Sequence, residues 1–426
     1  MTLATLHRLT FPALAVSFTA EFGLTLPSLG VLQSAVLAGY LVGQVPCGFL
    51  ADRFGGAKVL LCGLIAWSAS LGLTPLARLS SSPVLALGAA RAALGLAQSC
   101  MMPSISAMAA KCIPDAHRGR AVSFIYACSS SGTVLGLAAT PALAGLLGWA
   151  ATFQAYAAIG ICWGLMGLAI LPKHPEQHHN PAPRSEHDAS VASAPAAKSP
   201  LRKQASRQQP GELSESSQPG TLSMMGMLGQ VAVLCWTHSA IGWGFFILQS
   251  WIPTYLSSLG MADPGTAGLL SALPWVATAA VALIAGNLAD WMLTRLHWEL
   301  PRVRRVMQSI ASLGPALALL PLVLVPQRCG VTGSVACLTA TLALQAFCYA
   351  GFHTYVQDVA PADAGKLLGI TNTCGTAVGI VGNLATGRLA ASSWGYTAVF
   401  GLTAAVYLSA FILWNLTMHG AEIRLS

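Results

Sequence analysis

The sequence predicts an all-α membrane protein, with twelve transmembrane helices in two pseudo-symmetric six-helix bundles. Three observations carry this. Of 426 residues, 54% are apolar and only 8% charged, with a mean hydropathy of +0.63; a soluble domain carries about a quarter charged residues. Apolar runs of about 20 residues, each the length of a bilayer-spanning helix, recur along the chain. Finally, Gly48-Phe-Leu-Ala-Asp52 after the second run recurs as Gly286-Asn-Leu-Ala-Asp290 after the eighth, which implies a duplicated unit around a central cavity.

The runs place spans at 1–20, 31–50, 57–77, 83–109, 120–145, 151–171, 224–255, 265–289, 304–325, 333–356, 366–390 and 394–416. No secretory or transit peptide precedes the first, and Met1 falls inside it. The run from 224 is long and is expected to begin along the membrane surface. Residues 173–222 are rich in Pro, Ser, Gln, His and Ala and read as a disordered cytoplasmic linker. They separate an N-terminal bundle (1–172) from a C-terminal one (223–418), with a cytoplasmic tail at 419–426. A second pair of loops repeats the echo, Ile113-Pro-Asp-Ala-His-Arg-Gly-Arg120 and Ala360-Pro-Ala-Asp-Ala-Gly-Lys366. The echo is imperfect, since Arg53 follows the first Asp and Trp291 the second. Spans 1, 2, 4, 5, 7, 8, 10 and 11 are expected to line the cavity.

The net charge of +8 reports orientation, not nucleic-acid binding. Arg53, Lys58, Lys111, Arg118, Arg120, the linker cations, Arg295, Arg302, Arg304, Arg305, Lys366 and Arg424 fall on one face, against Arg78, Arg328 and Arg388 on the other. The first face is therefore cytoplasmic, or stromal in a plastid membrane. At its centre Asp52, Arg53 and Lys58 flank the Gly55-Gly56 turn, outside the hydrocarbon, where a charge is cheap. Most of the eleven cysteines sit in apolar runs as small packing residues. Cys329 and Cys337 lie near one face and are the candidate bridge.

Arg8 and Arg91 fall within spans. A lone cation in hydrocarbon must face a partner or a wet cavity. No Asp or Glu lies mid-span, since Glu21, Asp290 and Asp358 sit at span ends. Unpaired buried cations suit an anion that arrives and completes the pair. His238 and His353, in spans 7 and 10, read as packing residues. His174, His178, His179 and His187 read as solvated linker histidines. Arg202-Lys-Gln-Ala-Ser206 has the pattern of a basophilic kinase site. No nucleophile–base pair or metal-ligand cluster falls within the spans, so neither an enzyme nor a metal is expected.

The run Gly48 to Lys58 reads G-x-x-x-D-R-x-G-x-x-K and resembles the loop 2–3 signature of the major facilitator superfamily. Gly39-Tyr40, Gln44, Pro46 and the Ala51-Asp-Arg-Phe-Gly-Gly56 run resemble its anion:cation symporter branch. Trp251-Ile-Pro-Thr-Tyr255, Gln357-Asp-Val-Ala-Pro361 and Leu413-Trp-Asn-Leu extend the likeness. It is greatest to plant and algal organellar phosphate carriers.

The resemblance implies alternating access, with Arg8 and Arg91 engaging a carboxylate or phosphate. Tyr40 and Asn372 would orient its oxygens by hydrogen bonds. Gly48, Asp52, Arg53, Gly55 and Lys58, with Gly286 and Asp290, would form the gating motif. Two positions depart from the family: Gln98 stands where a glutamate is usual, and His7 where an aspartate is. Those carboxylates couple protons in the family, so a sodium ion or the membrane potential is the expected driving force, with Gln98 kept at the substrate site. No other cofactor is expected. The expected function is secondary transport of small anions, inorganic phosphate first. The alternatives are an organic anion such as ascorbate or glutamate, and a non-transporting receptor or scaffold on the same fold. The partners would be a small anionic solute and the lipid bilayer, no nucleic acid, with the protein a monomer. The location would be a plastid envelope or thylakoid membrane, or another cell membrane.

Overall fold

The structure, a computed structural model, describes residues 1–112, 115–171, 224–261, 263–360, 363–418 and 423, with the side chains at 106, 107, 109–112, 115–127 and 224 left aside. The 173–222 linker, the Ile113–Arg120 loop side chains, Pro361 and most of the tail therefore fall outside the described residues. Every regular element among them is helical. The N-terminal half holds α1 (Thr2–Ala13), α2 (Ala15–Phe22), α3 (Leu26–Phe54), α4 (Gly56–Leu73), α5 (Pro83–Gln98), α6 (Met101–Cys112), α7 (Asp115–Leu147) and α8 (Trp149–Ile170). The C-terminal half holds α9 (Met224–Ser258), α10 (Pro264–Thr294), α11 (Leu300–Leu324), α12 (Pro326–Gln345), α13 (Phe352–Val359), α14 (Ala364–Ala390) and α15 (Gly395–Thr417).

Eleven described helical stretches are long and apolar enough to cross a membrane. The twelfth crossing is the pair α1 and α2, so the protein is a multi-pass membrane protein. Three crossings expected as single helices are broken. Pro12 cannot donate to the carbonyl of residue 8, and two residues later Leu14 leaves helical geometry (φ −111°, ψ 14°). The fourth crossing breaks at Ser99, whose hydroxyl donates to the Leu96 carbonyl at 2.6 Å. The tenth breaks between α12 and α13, where Gln308 of α11 satisfies the freed backbone by accepting from Phe352 N at 3.2 Å. Gly351 is required there, because a Cβ would stand 2.7 Å from Gln308 N. Irregular backbone at membrane depth survives only where protein or a wet cavity satisfies it. Two expectations change in the other direction. The seventh crossing, expected to begin along the membrane surface, is one continuous helix from Met224. The second crossing runs 29 residues rather than 20. Cys329 and Cys337 are both free thiols within hydrogen-bonding reach of each other, not a bridge.

Local signals explain the ends. Thr25 caps α3 by accepting from Ser28 N at 3.3 Å. Asp263 caps α10 by accepting from Thr266 Oγ1 at 2.5 Å and from Thr266 N at 2.9 Å, and these bonds, the hydroxyl's first, hold its carboxyl below the usual range. Gly55 (φ +88°) lets α3 turn into α4 without a Cβ penalty.

The halves meet at the end where α3 begins. Gly30 of α3 and Gly387 of α14 abut so closely that a Cβ on Gly30 would lie 2.7 Å from the Asn383 carbonyl oxygen. Ser34 Oγ donates to the Ile380 carbonyl at 2.9 Å, and Gln33 Nε2 to the Ser250 carbonyl at 3.4 Å. On the C-terminal side Trp251 Nε1 donates to Asn383 Oδ1 at 2.9 Å. Gly268 of α10 packs on Leu137 and Pro141 of α7. At the opposite end, toward the Gly55 turn, the halves part around a cavity.

Candidate functional site

The cavity between the halves has a volume of about 780 Å³. From α3 it takes Tyr40 and Gln44, from α6 Met102 and Pro103, from α9 His238, from α13 His353, and from α14 Lys366 and Asn372. His238, His353 and Asn372 also belong to an inner pocket of about 170 Å³ walled by Phe245, Phe246, Trp275 and Tyr349. The described lining therefore comes from crossings 2, 4, 7, 8, 10 and 11.

Neither cavity has a carboxylate among its described lining residues. The acids at span ends are engaged elsewhere or exposed. Glu21 accepts from Arg78 Nε at 2.6 Å and from Trp149 Nε1. Asp358 pairs with Arg304 at 2.7 Å. Asp290 lies exposed near the end of α10.

Arg8 and Tyr40 interact electrostatically across α1 and α3, and Tyr40 hydrogen-bonds Gln44 on its own helix. Arg8 Nε is buried with no hydrogen-bond partner. An unsatisfied guanidinium nitrogen in a protein interior is costly unless a ligand or water reaches it. Arg91 is different. Its Nε donates to the Leu32 carbonyl at 2.6 Å and its Nη2 to Gln33 Oε1 at 3.0 Å. Its guanidinium also lies 4.3 Å from the Phe11 ring centroid. Arg91 is thus turned toward the closed end and satisfied by protein, although Arg8 is near enough to repel it. Gln98 is likewise structural in this state: its Nε2 donates to the Ala4 carbonyl at 2.7 Å, tying α5 to α1. His7 is buried and stacks on Tyr156 at 6.3 Å.

So the structure puts Tyr40 and Asn372 on the cavity lining, sets Arg8 behind Tyr40, and ties Arg91 and Gln98 to protein partners away from it. It adds His238, His353 and Lys366. The histidines carry no local signal that separates them from packing residues; only their meeting across α9 and α13 reveals them. The residues expected to gate the cavity lie at helix ends: Asp52, Arg53 and Lys58 are exposed around the α3–α4 turn, and near the end of α10 Gly286 is half-buried and Asp290 exposed. Arg53 rests on the Phe54 ring at 5.4 Å.

The family model of the Major Facilitator Superfamily matches residues 1–383. The chain belongs to the major facilitator superfamily. Among relatives of this facilitator, the Sodium-dependent phosphate transport protein 1, chloroplastic, of Arabidopsis thaliana is 31% identical over 422 residues, covering 99% of this chain and 77% of the relative. The Ascorbate transporter, chloroplastic, of the same plant is 31% identical, with 99% and 73% covered. Probable anion transporter 4, chloroplastic, of Oryza sativa subsp. japonica is 31% identical, with 99% and 67% covered. Among solved structures, the fold matches a bacterial homolog to human lysosomal transporter Spinster in inward-facing and occupied conformation. Its TM-score is 0.72 at 14% identity, covering 98% of this chain and 94% of that one. A D-xylose-proton symporter matches at TM-score 0.70 and 18% identity, with 99% and 98% covered.

Proposed function

We propose that this facilitator is a secondary active transporter of small anions, inorganic phosphate first, working by alternating access as a monomer in a plastid membrane. One observation carries it: Arg8, whose buried Nε has no hydrogen-bond partner, interacts electrostatically with Tyr40, which lines a cavity with no carboxylate among its described lining residues. A desolvated, unpaired cation favours a ligand of opposite charge. The phosphate, anion and ascorbate transporters among the relatives support the same reading. Arg91 joins the site when its bonds at the closed end are released, and Asn372 faces the anion from the other bundle. Gly48, Asp52, Arg53, Gly55 and Lys58, with Gly286 and Asp290, act as the gate that closes the open end. Gln98 cannot titrate, so that position couples no proton, and a sodium ion or the membrane potential is the candidate drive. No group is assigned to bond-making chemistry. An organic anion is the second reading, favoured by the aromatic walls of the inner pocket, which phosphate alone has no use for. Uptake of radiolabelled phosphate into proteoliposomes, under separately imposed sodium, voltage and pH gradients and with competing organic anions, tests the proposal. No uptake of any anion would overturn it.

A further inference from the structure

His238 of α9 and His353 of α13 meet edge to face, with ring centroids 5.4 Å apart. Both rings line the main cavity and the inner pocket. Thr371 of α14 holds the first in place. Its hydroxyl lies 3.0 Å from His238 Nδ1 and 3.1 Å from the Leu368 carbonyl oxygen. In a neutral imidazole one nitrogen carries a hydrogen and the other a lone pair, so each ring of the pair offers one nitrogen to a proton.

The titratable and charged groups brought to this pair come from several helices. Tyr40 comes from α3, with Arg8 of α1 behind it; Cys348 and Tyr349 come from the turn before α13; Lys366 and Cys374 come from α14. Tyr407 of α15 lies beyond, against Gly244 of α9. On α9 itself Cys235 neighbours Cys374. Asp358 of α13 is held by Arg304 of α11. Among the described lining residues none is a carboxylate and these two are the only imidazoles, and they stand in the bundle opposite Gln98.

We infer that the His238–His353 pair is the proton-binding site of this transporter and takes up one proton together with the anion. A proton from cavity water forms an N–H bond at the free imidazole nitrogen, and water keeps the electron pair. The second ring resists a second proton, because two like charges this close oppose each other. In the empty cavity Arg8 and Lys366 also oppose the first. An arriving anion removes that opposition, and by linkage the protonated pair binds the anion more tightly. A proton thus enters through the C-terminal bundle although the helix 4 position cannot titrate. This rests on the reading that the cavity takes an anion.

Radiolabelled ascorbate is the probe, because it stays a monoanion where phosphate changes its own charge. KM is measured in proteoliposomes at equal pH on both sides, between about pH 5.5 and 8, the range in which imidazole titrates. In the wild type KM falls on acidification, by at most about tenfold per pH unit, the limit for one linked proton. His238→Asn keeps an amide nitrogen near Nδ1 for Thr371 and loses the base. Together with His353→Gln it flattens the profile. A pH-independent wild type, or an unchanged profile in the double variant, overturns the inference while leaving anion transport standing. Failure of the wild type to move ascorbate or phosphate overturns the anion reading and the inference with it. A second measurement needs no variant: in weakly buffered detergent solution, saturating the wild type with ascorbate withdraws one proton per protein from the medium. No withdrawal overturns the inference.

Discussion

Arg8 and Arg91 look alike in the sequence, each a cation alone in an apolar run, yet they are expected to fail differently. Arg8 has a buried nitrogen with no protein partner, so its loss falls on the ligand. Arg8→Ala is expected to cost about 2–5 kcal/mol of anion binding, read as a rise in KM for phosphate with protein yield maintained. Arg91 holds the Leu32 carbonyl and the Gln33 side chain. Arg91→Ala leaves the buried Gln33 Oε1 without a donor, at about 1–3 kcal/mol, and takes the second bond from the Leu32 carbonyl. It is expected to lower the melting temperature as well as the transport rate. Arg91→Lys supplies one charge but not the two-pronged fork, so it should restore melting temperature only in part. Equal melting temperatures for wild type and Arg91→Ala would contradict this assignment.

At the scale of elements, the joints are what the side chains stabilise. Glu21 at the end of α2 is bound by Arg78, which sits 4.4 Å over the Trp149 ring. Bonding to Arg78, and secondarily to Trp149, holds the Glu21 carboxyl below the ordinary glutamate range. A depressed acid contributes stability above its unfolded pKa and loses it as pH falls through the folded one. With both side chains partly exposed (48% and 32%), the ion pair is worth only about 0.2–1 kcal/mol. Glu21→Gln should therefore lower the melting temperature slightly at neutral pH, and the difference from wild type should shrink below the glutamate range. A gap that widened on acidification would contradict the pairing. The glycine joint between α3 and α14 is less forgiving. Gly30→Ala places a Cβ against a backbone oxygen that cannot swing away. It should weaken the closed end and raise outward exposure. Labelling Ser34→Cys with an impermeant maleimide, in a background without native cysteines, should then be several-fold faster than without the alanine.

At the scale of the molecule, this is one state of a cycle. The bundles touch through Gly30, Ser34, Ile380 and Gly387 at one end and stand apart at the other. Asp52 and Arg53 are exposed at the parted end, where closure has to bring the α3–α4 turn toward α14. Asp52→Ala is expected to slow turnover while leaving phosphate affinity within a few-fold, because the residue acts on the exchange of states and not on the bound anion. A large loss of affinity at normal turnover would place Asp52 in the binding site instead.

The sequence by itself determined the solvent, the number of crossings and the duplication, and it carries an expectation of orientation. Each is written in hydropathy, spacing and loop charge, which the bilayer reads one segment at a time. It also marked Arg8, Tyr40 and Asn372, because a cation or an amide in an apolar run has few other uses and the loop motifs named the family. Tertiary structure alone decided which of these face the cavity. Arg91 and Gln98 are polar groups in spans like Arg8, but a bond to the Leu32 or Ala4 carbonyl depends on how two helices are rotated against each other, and no single segment encodes that. The breaks at Leu14 and Gly351 were likewise invisible: hydropathy runs straight through them, and the second is held by Gln308, more than forty residues away. The meeting of His238 with His353 is of the same kind, since α9 and α13 are brought together only by the packed bundle that lies between them in the chain.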